Sequence, residues 1–247
     1  MLLEIDNFEQ FKVFFDVIYE ITDLIELQLF KTHMVCSILD KAHTRFMTVT
    51  FKSDFFAVYE IDDAESVTLF AEDLHKIIKS ATKIDNVILQ TNDNYLICKF
   101  ESNNGNSRVF EFVLPADYIE SPQPPSLSLP ITFNLNMNDL KQGIKDLKIV
   151  GSSVLQFNIS ENLVSLSAGV ETTAKYSSNI PAEVDCDHSA VSRFTIEYIE
   201  QLLKFEKVSK TAKFSVDSDM PLLYTFEDEV MGIEVKGLIA PRIEVDD

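Results

Sequence analysis

The chain is short of the residues that build nucleotide sites, and it has no stretch suited to a membrane. Its 247 residues include only six glycines, none spaced as in a phosphate-binding Gly-rich loop or a dinucleotide fingerprint. Tryptophan is absent, and no apolar run approaches the roughly 20 residues that span a bilayer. Glu4 and Asp6 stand where a signal peptide would need basic residues. We therefore expect a soluble globular protein with no nucleotide site, no membrane contact and no export.

Cysteine and histidine are also scarce. The cysteines are odd in number and far apart, at Cys36, Cys98 and Cys186. This pattern is typical of a reducing intracellular compartment and not of a disulfide framework. The four histidines have no evident nucleophile beside them, and no Cys-x-x-Cys accompanies the single Cys-Asp-His run at 186–188. We therefore expect no catalytic residues, no metal site and no cofactor.

What the sequence does contain is an internal repeat. Apolar residues at Phe8, Phe11, Phe15 and Ile18 recur with the same spacing 129 residues later, at Met137, Leu140, Ile144 and Leu147. A second helical stretch, from Leu74, recurs 125 residues later from Ile199. The length suffices for two domains with separate cores. The repeat predicts tandem domains at 1–117 and 131–247, joined by a proline-rich connector at 118–130, and argues against a single catalytic pocket.

Each half reads as strand, helix, several strands, helix, several strands. Helices are expected at 7–20, 71–83, 137–150 and 195–210. Strands are expected at 24–30, 33–38, 44–51, 65–70, 86–91, 95–101 and 107–114, and again near 153–158, 162–168, 172–178, 189–194, 212–217, 221–227 and 231–239. Because strands follow one another without intervening helices, we predict an α+β fold of two similar domains with antiparallel sheets.

The net charge of −19 argues against binding to nucleic acid, but the distribution of charge along the chain does not. The four expected helices hold 10 basic and 10 acidic residues, so the other 190 residues, with 11 basic and 30 acidic, carry the whole imbalance. Lysine is a good helix former, which is the simpler explanation of this bias. On two helices, however, the lysines share one arc beside the apolar stripe. These are Lys76, Lys79 and Lys83, and Lys141, Lys145 and Lys148.

Two leucines of the connector have competing explanations, and one helical glycine indicates close packing. Leu127 and Leu129 in the connector either pack onto the edge of a domain or offer apolar surface to a partner. Gly143 lies inside an expected helix, where it costs about 1 kcal/mol relative to alanine, and this indicates close backbone packing.

Several separated motifs resemble the sliding clamps of the proliferating cell nuclear antigen family. The run 238–244, with Ala240-Pro241 at its centre, is similar to the closing strand and tail of that family. The run 39–43 resembles the loop after its third strand, Asp146-Leu147 before Gly151 resembles the end of its third helix, and the run 220–222 resembles the start of its penultimate strand. The motifs occur in the family's order over the entire chain.

The resemblance implies a ring of three subunits, with sheets outside and two helices per domain lining a central hole that holds duplex DNA. Lysines on these helices would contact phosphates without reading sequence, as sliding requires. The matching and neighbouring positions are Lys12, Lys76, Lys79, Lys83, Lys141, Lys145, Lys148, Lys204, Lys207 and Lys210. The chain departs from the family by carrying Val13, Tyr19 and Gln142 where basic residues are common.

The resemblance also implies a groove beneath the connector for short peptide motifs of DNA polymerase, the clamp loader, flap endonuclease and ligase. Its wall would be formed by Leu39, His43, Leu127, Leu129, Pro221, Leu238, Ala240, Pro241 and Ile243. The ring would close by strand pairing between the run 107–114 of one subunit and 173–179 of the next.

We therefore predict a non-enzymatic polymerase processivity factor for DNA replication and repair. The alternatives are one subunit of a heterotrimeric or checkpoint-type clamp and, remotely, an enzyme or small-molecule binder on a duplicated α+β scaffold. Its compartment would follow its host: nucleus, archaeal cytoplasm or infected cell.

Overall fold

The computed structural model describes residues 1–6, 8–81, 85–92, 94–102, 104–116, 119–168 and 174–243. The first half contains helices α1 (Phe8–Ile18) and α2 (Ala71–Ser80), with strands β1 (Leu2–Ile5), β2 (Leu24–Phe30), β3 (His33–Leu39), β4 (Arg45–Lys52), β5 (Val58–Glu60), β6 (Glu65–Phe70), β7 (Asp85–Asn92), β8 (Tyr95–Ser102) and β9 (Ser107–Val113). The second half contains α3 (Met137–Ile149) and α4 (Ile196–Leu202), with β10 (Ile131–Asn136), β11 (Val154–Ser160), β12 (Leu163–Ala168), β13 (Ser177–Pro181), β14 (Val184–Asp185), β15 (Ala190–Thr195), β16 (Thr211–Val216), β17 (Leu222–Asp228) and β18 (Ile233–Ile239). Short 3₁₀ helices follow at Ser53–Phe55 and Leu203–Lys207.

The chain forms two compact units. The first unit comprises the described parts of 1–41, 47–124 and 228–234, and the second those of 42–46, 125–227 and 235–247. Within the described residues, no helix is long and apolar enough to cross a membrane.

The first unit packs its two helices against an aromatic core. Its strands pair antiparallel in the orders β5-β1-β7-β8-β9 and β6-β2-β3. The ring of Phe11 lies 4.7 Å from that of Phe15 and 5.4 Å from that of Phe51, and all three side chains are buried. Val13 and Val17 are buried as well, so α1 is covered over most of its circumference and not only on the predicted stripe.

The second unit repeats this plan. Its strands pair antiparallel in the orders β13-β12-β11-β15 and β14-β10-β16-β17. The Asn136 side chain accepts a hydrogen bond from the backbone N–H of Asn138, which fixes the start of α3. A Cβ on Gly143 would lie 2.5 Å from the Leu166 side chain on β12, so α3 passes as closely over its sheet as the glycine predicted.

The predicted α+β class with antiparallel sheets is confirmed, whereas several boundaries differ from the prediction. The helix expected at 195–210 ends at Leu202 and continues as a 3₁₀ turn. Leu202, Phe205 and Val208 are all buried. A spacing of three residues keeps them on one face only when the helix has three residues per turn. Strands β5 and β14 were not predicted, and the strand expected at 172–178 begins at Ser177, with residues 169–173 outside the described chain.

Candidate functional site

Helix α2 presents two of its predicted lysines to solvent. Leu74, Ile77 and Ile78 are buried on its inner face, and Lys76 and Lys79 are exposed. Lys76 Nζ lies 2.5 Å from a carboxylate oxygen of Glu72, one turn earlier, and this hydrogen bond raises the pKa of Lys76. The third predicted lysine, Lys83, lies outside the described residues.

Helix α1 offers much less positive charge. Lys12 is half-buried, and Val13, where the family commonly carries a basic residue, is 3% exposed within the core. Tyr19 follows the helix, is 43% exposed, and stacks on His75 of α2 with ring centroids 4.5 Å apart. The surface of this helix pair therefore combines few cations with an aromatic contact.

Helix α3 carries the clearest basic surface. Leu140, Ile144 and Leu147 are buried, whereas the three predicted lysines lie exposed on the other faces: Lys141, Lys145 and Lys148. Lys148 Nζ donates to both carboxylate oxygens of Glu200 on α4 at 2.6 Å. Lys141 Nζ lies 3.6 Å from Glu206.

The lysines after α4 lie in or beyond the 3₁₀ turn. Lys204 is half-buried, Lys207 is exposed, and both make contacts within the protein. Lys210 lies past the turn and its Nζ is 2.8 Å from Glu206. Hydrogen bonding to Lys210 lowers the pKa of Glu206, and Lys141 contributes in the same direction.

Seven of the ten predicted lysines fall into two electrostatic groups, and Lys83, Lys204 and Lys207 belong to neither. Lys76, Lys141, Lys148 and Lys210 each neutralise a nearby carboxylate. In the described parts of the chain, no ion pair involves Lys12, Lys79 or Lys145. Among the described residues, no ion pair has to break for these three charges to reach an anionic ligand.

The C-terminal run is anchored in the second unit beside the turn that contains His43. The backbone N–H of Ala240 donates to the carbonyl of Thr44 at 2.7 Å, and that of Arg242 donates to the carbonyl of Arg193 at 2.7 Å. His43 is exposed with a positive φ of 56°. Ile243, just beyond these anchors, is 69% exposed. The apolar side chain of Ile243 therefore lies in solvent next to a backbone segment that hydrogen bonds hold in place.

The other predicted groove residues are mostly half-buried. Leu129 is 8% exposed, which favours its packing onto its own unit, and Leu127 keeps part of its side chain in solvent. Pro221, Leu238, Ala240 and Pro241 are half-buried in the second unit. Leu39 is half-buried at the end of β3 in the first unit.

The turn before Pro221 lies beside exposed apolar side chains that the sequence did not lead us to expect. Met220 and Val191 are each 37% exposed, and the Ser192 hydroxyl donates to the carbonyl of Met220 at 3.0 Å. His188 closes the same turn, since its Nδ1 lies 2.5 Å from Asp187 and its Nε2 lies 2.9 Å from Asp217.

A neutral imidazole has one N–H and donates to only one carboxylate, so holding both requires the imidazolium form. Hydrogen bonds to Asp217 and Asp187 raise the pKa of His188 and lower the pKa of each carboxyl group. Among the described residues, no group of three or more histidine, cysteine or acidic side chains is placed to hold a metal ion.

Two of the strands at sheet edges overlap the runs predicted to pair between subunits. β9 lies at the edge of the first unit's five-stranded sheet, with Val109 and Val113 53% and 66% exposed. β13 lies at the edge of the second unit's four-stranded sheet. Unpaired edges with apolar side chains are ready to accept another chain.

Comparison with known proteins places relatives along nearly the whole chain. Residues 2–121 match the sequence model of the N-terminal domain of proliferating cell nuclear antigen. The DNA polymerase sliding clamp of Methanothermobacter thermautotrophicus is 30% identical over 233 residues, which cover 94% of each chain. The DNA polymerase sliding clamp of Methanobrevibacter smithii is 27% identical, over 99% of this chain and 98% of its own.

Solved structures share the fold. Proliferating cell nuclear antigen of Thermococcus kodakaraensis superposes with a TM-score of 0.86 at 18% identity, over 98% of this chain and 99% of its own. A chain of the PCNA2-PCNA3 complex of Sulfolobus tokodaii gives a TM-score of 0.84 at 22% identity, over 99% of this chain and all of its own.

Proposed function

The chain belongs to the proliferating cell nuclear antigen family of DNA polymerase sliding clamps, and we propose that it encircles duplex DNA as a processivity factor. In this proposal it performs no catalysis and tethers replication and repair proteins to DNA. The observation that carries the DNA contact is the exposed lysines of α2 and α3, opposite buried apolar faces, in a chain of net charge −19. Lysines grouped on these helices would attract phosphates there, while the net negative charge of the remainder repels DNA.

The proposed DNA contact is made through phosphates alone. The set comprises Lys12, Lys76, Lys79, Lys83, Lys141, Lys145, Lys148, Lys204, Lys207 and Lys210. Phosphate contacts position a protein on DNA without specifying sequence, so the clamp can move along the duplex.

The proposed partner site is an apolar groove for short peptide motifs of DNA polymerase, the clamp loader, flap endonuclease and ligase. Exposed Ile243 and half-buried Leu127 supply apolar surface, and the backbone anchors at Ala240 and Arg242 hold the tail in place. Apolar side chains on a fixed backbone suit helical or extended peptides with bulky anchors. In this arrangement 118–130 is the connector between domains at 1–117 and 131–247.

The proposed assembly is a homotrimeric ring closed by pairing of β9 with β13 of the next subunit. The exposed apolar residues of β9 support this, because pairing would cover them. A second candidate is one subunit of a mixed ring, which the similarity to a chain of a PCNA2-PCNA3 complex supports. The mass of the assembly in solution separates the two, since a monomer at micromolar concentration would contradict a self-sufficient homotrimer.

Topology is the decisive test of the proposed function. The loaded protein should remain on nicked circular plasmid through gel filtration and leave the same plasmid after linearisation, because only an end releases a ring. Equal retention on both forms would contradict encirclement. A polymerase with a matching peptide motif should also make longer products with the loaded clamp, and unchanged product length would contradict the tethering role.

The groove has its own test. Ile243→Ala should weaken a labelled partner peptide with little effect on thermal stability, because the side chain is 69% exposed. Val230→Ala, at a side chain 93% exposed on the turn before β18, is the matched control. Peptide affinity unchanged by Ile243→Ala would remove this residue from the groove.

A further inference from the structure

A cleft of about 470 Å³ opens in the first unit between the turn after α1 and the start of α2. Two aromatic rings, two hydroxyl groups and three carboxylates line it, contributed by Tyr19, Thr22, Asp23, Phe70, Glu72 and Asp73. This volume is within the range of small-ligand pockets. None of these side chains belongs to the proposed lysine set or to the proposed peptide groove.

Phe70 supplies the cleft with a half-exposed aromatic ring where β6 ends and α2 begins. It is the N-cap of α2, where Ser, Thr, Asp and Asn are preferred, and it makes no side-chain capping bond. A poor cap costs about 1 kcal/mol relative to those residues. The Phe70 ring is 47% exposed, so about half of its surface is buried, as suits an aromatic residue at the end of β6. The exposed half of the ring lines the cleft and adds apolar surface to it.

Contacts within the first unit position Tyr19 and join the two segments that line the cleft. Tyr19 stacks on His75 at an interplanar angle of 15°, and His75 Nδ1 lies 3.3 Å from Asp16. The backbone N–H of Ala71 donates to the carbonyl of Asp23 at 2.9 Å, which ties the start of α2 to the turn after α1. A binding site with fixed walls loses little entropy on binding.

The charges in the cleft favour a cation. Asp23 pairs with Lys41 at 2.5 Å and Glu72 pairs with Lys76 at 2.5 Å, but these lysine side chains are 82% and 63% exposed. Such pairs are weak and exchange readily with another cation. Within the described residues, Asp73 forms no ion pair, although, after the hydrogen bond to Glu72, its charge also helps to raise the pKa of Lys76. Three carboxylates beside two aromatic rings attract a cation and repel a phosphate or an acidic peptide.

We propose that this cleft binds an arginine side chain presented by a basic segment of a partner protein. Arginine fits better than lysine, because its planar guanidinium stacks on aromatic faces and donates in pairs to carboxylates. The contact is additional to the proposed function and does not depend on DNA binding or on the peptide groove.

The test uses the full chain, labelled with ¹⁵N, and three blocked pentapeptides that differ at one central residue flanked by glycine and serine. The central residue is arginine, lysine or citrulline, which has the shape of arginine without its charge. The arginine peptide should cause saturable amide shifts around Phe70, Tyr19 and Asp73, the lysine peptide weaker shifts there, and the citrulline peptide none.

Variants assign the contacts. Phe70→Ala should weaken the arginine peptide about two- to fivefold, as expected for a cation–π contact at an exposed site, and Asp73→Asn by a similar factor. The double variant should lose about tenfold or more. The controls are Tyr95→Ala, at another ring 43% exposed, and Asp63→Asn, at a side chain 99% exposed, and both should bind as the original chain does. Midpoints of thermal unfolding within about 2 °C would show that the variants are folded.

Three results would overturn the proposal. Equal shifts with the citrulline peptide would show that charge plays no part. Folded variants with unchanged affinity would place the binding elsewhere. Saturable shifts of the same amides by a short single-stranded oligothymidine would identify the two rings as a base-stacking surface for nucleic acid.

Discussion

Lysines outside ion pairs should carry more of the DNA affinity than lysines within them. Helix α3 allows a matched comparison, because Lys145 and Lys148 are both exposed and lie one turn apart. In the described structure Lys145 takes part in no ion pair, whereas Lys148 donates to both carboxylate oxygens of Glu200. We compare Lys145→Ala with the double variant Lys148→Ala/Glu200→Gln, which removes the pair without leaving an uncompensated carboxylate.

The expected loss of DNA affinity follows from counterion release. Each phosphate contact contributes about 0.9 to the slope of log affinity against log salt, so a ring with three copies of Lys145 loses up to about 2.7 in slope. Between about 50 and 200 mM salt, this difference corresponds to about 40-fold in affinity. Lys148 must leave or share Glu200 to reach a phosphate, and an exposed pair of this kind is worth about 0.2–1 kcal/mol. The double variant should therefore change the slope by less than half as much.

Fluorescence anisotropy of a labelled duplex, measured over a salt series, reports both slopes. Lys213→Ala on strand β16, at another exposed lysine, is the control and should leave the slope unchanged. Equal slopes for Lys145→Ala and the double variant would refute the reasoning from ion pairs. An unchanged slope for Lys145→Ala would remove this helix from the DNA contact.

Three further predictions concern stability. Gly143→Ala should lower the free energy of unfolding by roughly 1 kcal/mol in chemical denaturation, because displacing the buried Leu166 side chain costs more than the gain in helix propensity. A variant more stable than the original chain would contradict this packing. Ser121→Ala should lower the free energy of unfolding by about 1–3 kcal/mol in the same assay, because Ser121 donates a hydrogen bond to the buried carboxyl group of Glu26. An unchanged free energy would show that solvent replaces this hydrogen bond. His188→Gln should remove a pH-dependent part of the stability, because the pKa of His188 in the folded protein is raised above 6.5. The stabilisation by the charged imidazole is complete below pH 6.5 and is lost as the pH rises through the folded pKa. Identical pH profiles of thermal stability for the variant and the original chain would refute this prediction.

The helices were predictable because their apolar residues repeat at a helical period over three turns. Phe8, Phe11 and Phe15 fix α1 to within about two residues, a normal uncertainty for helix ends. The period could not reveal the 3₁₀ turn after Leu202, because one buried Phe205 is too little to distinguish three residues per turn from 3.6. The three-residue strand β5 and the two-residue strand β14 carry too few residues for an alternation to be read.

Exposure of the described lysines on α2 and α3 was predictable, but their partners were not. On a helix that buries only one face, a position away from the apolar stripe faces solvent, as on α2 and α3. The pair of Lys148 with Glu200 instead joins residues 52 apart in sequence, and the contact of His188 with Asp217 joins residues 29 apart. Such contacts depend on how elements pack and leave no local pattern. The burial of Val13 has the same origin, since α1 is covered on more than the stripe its period defines.

The repeat explains why the two helix pairs differ chemically. At an offset of 129 residues Tyr19 corresponds to Lys148, and at an offset of 125 His75 corresponds to Glu200. In each unit these equivalent positions touch, as a stacked aromatic pair in the first and as an ion pair in the second. The contact between helices is thus kept while its chemistry is exchanged. In the second unit this position holds a cation that can be shared with phosphate, whereas in the first it holds an aromatic ring that lines the proposed arginine cleft. Tyr19 thus takes the place that Lys148 has in the second unit, and the same stacking contact with His75 positions it in the cleft.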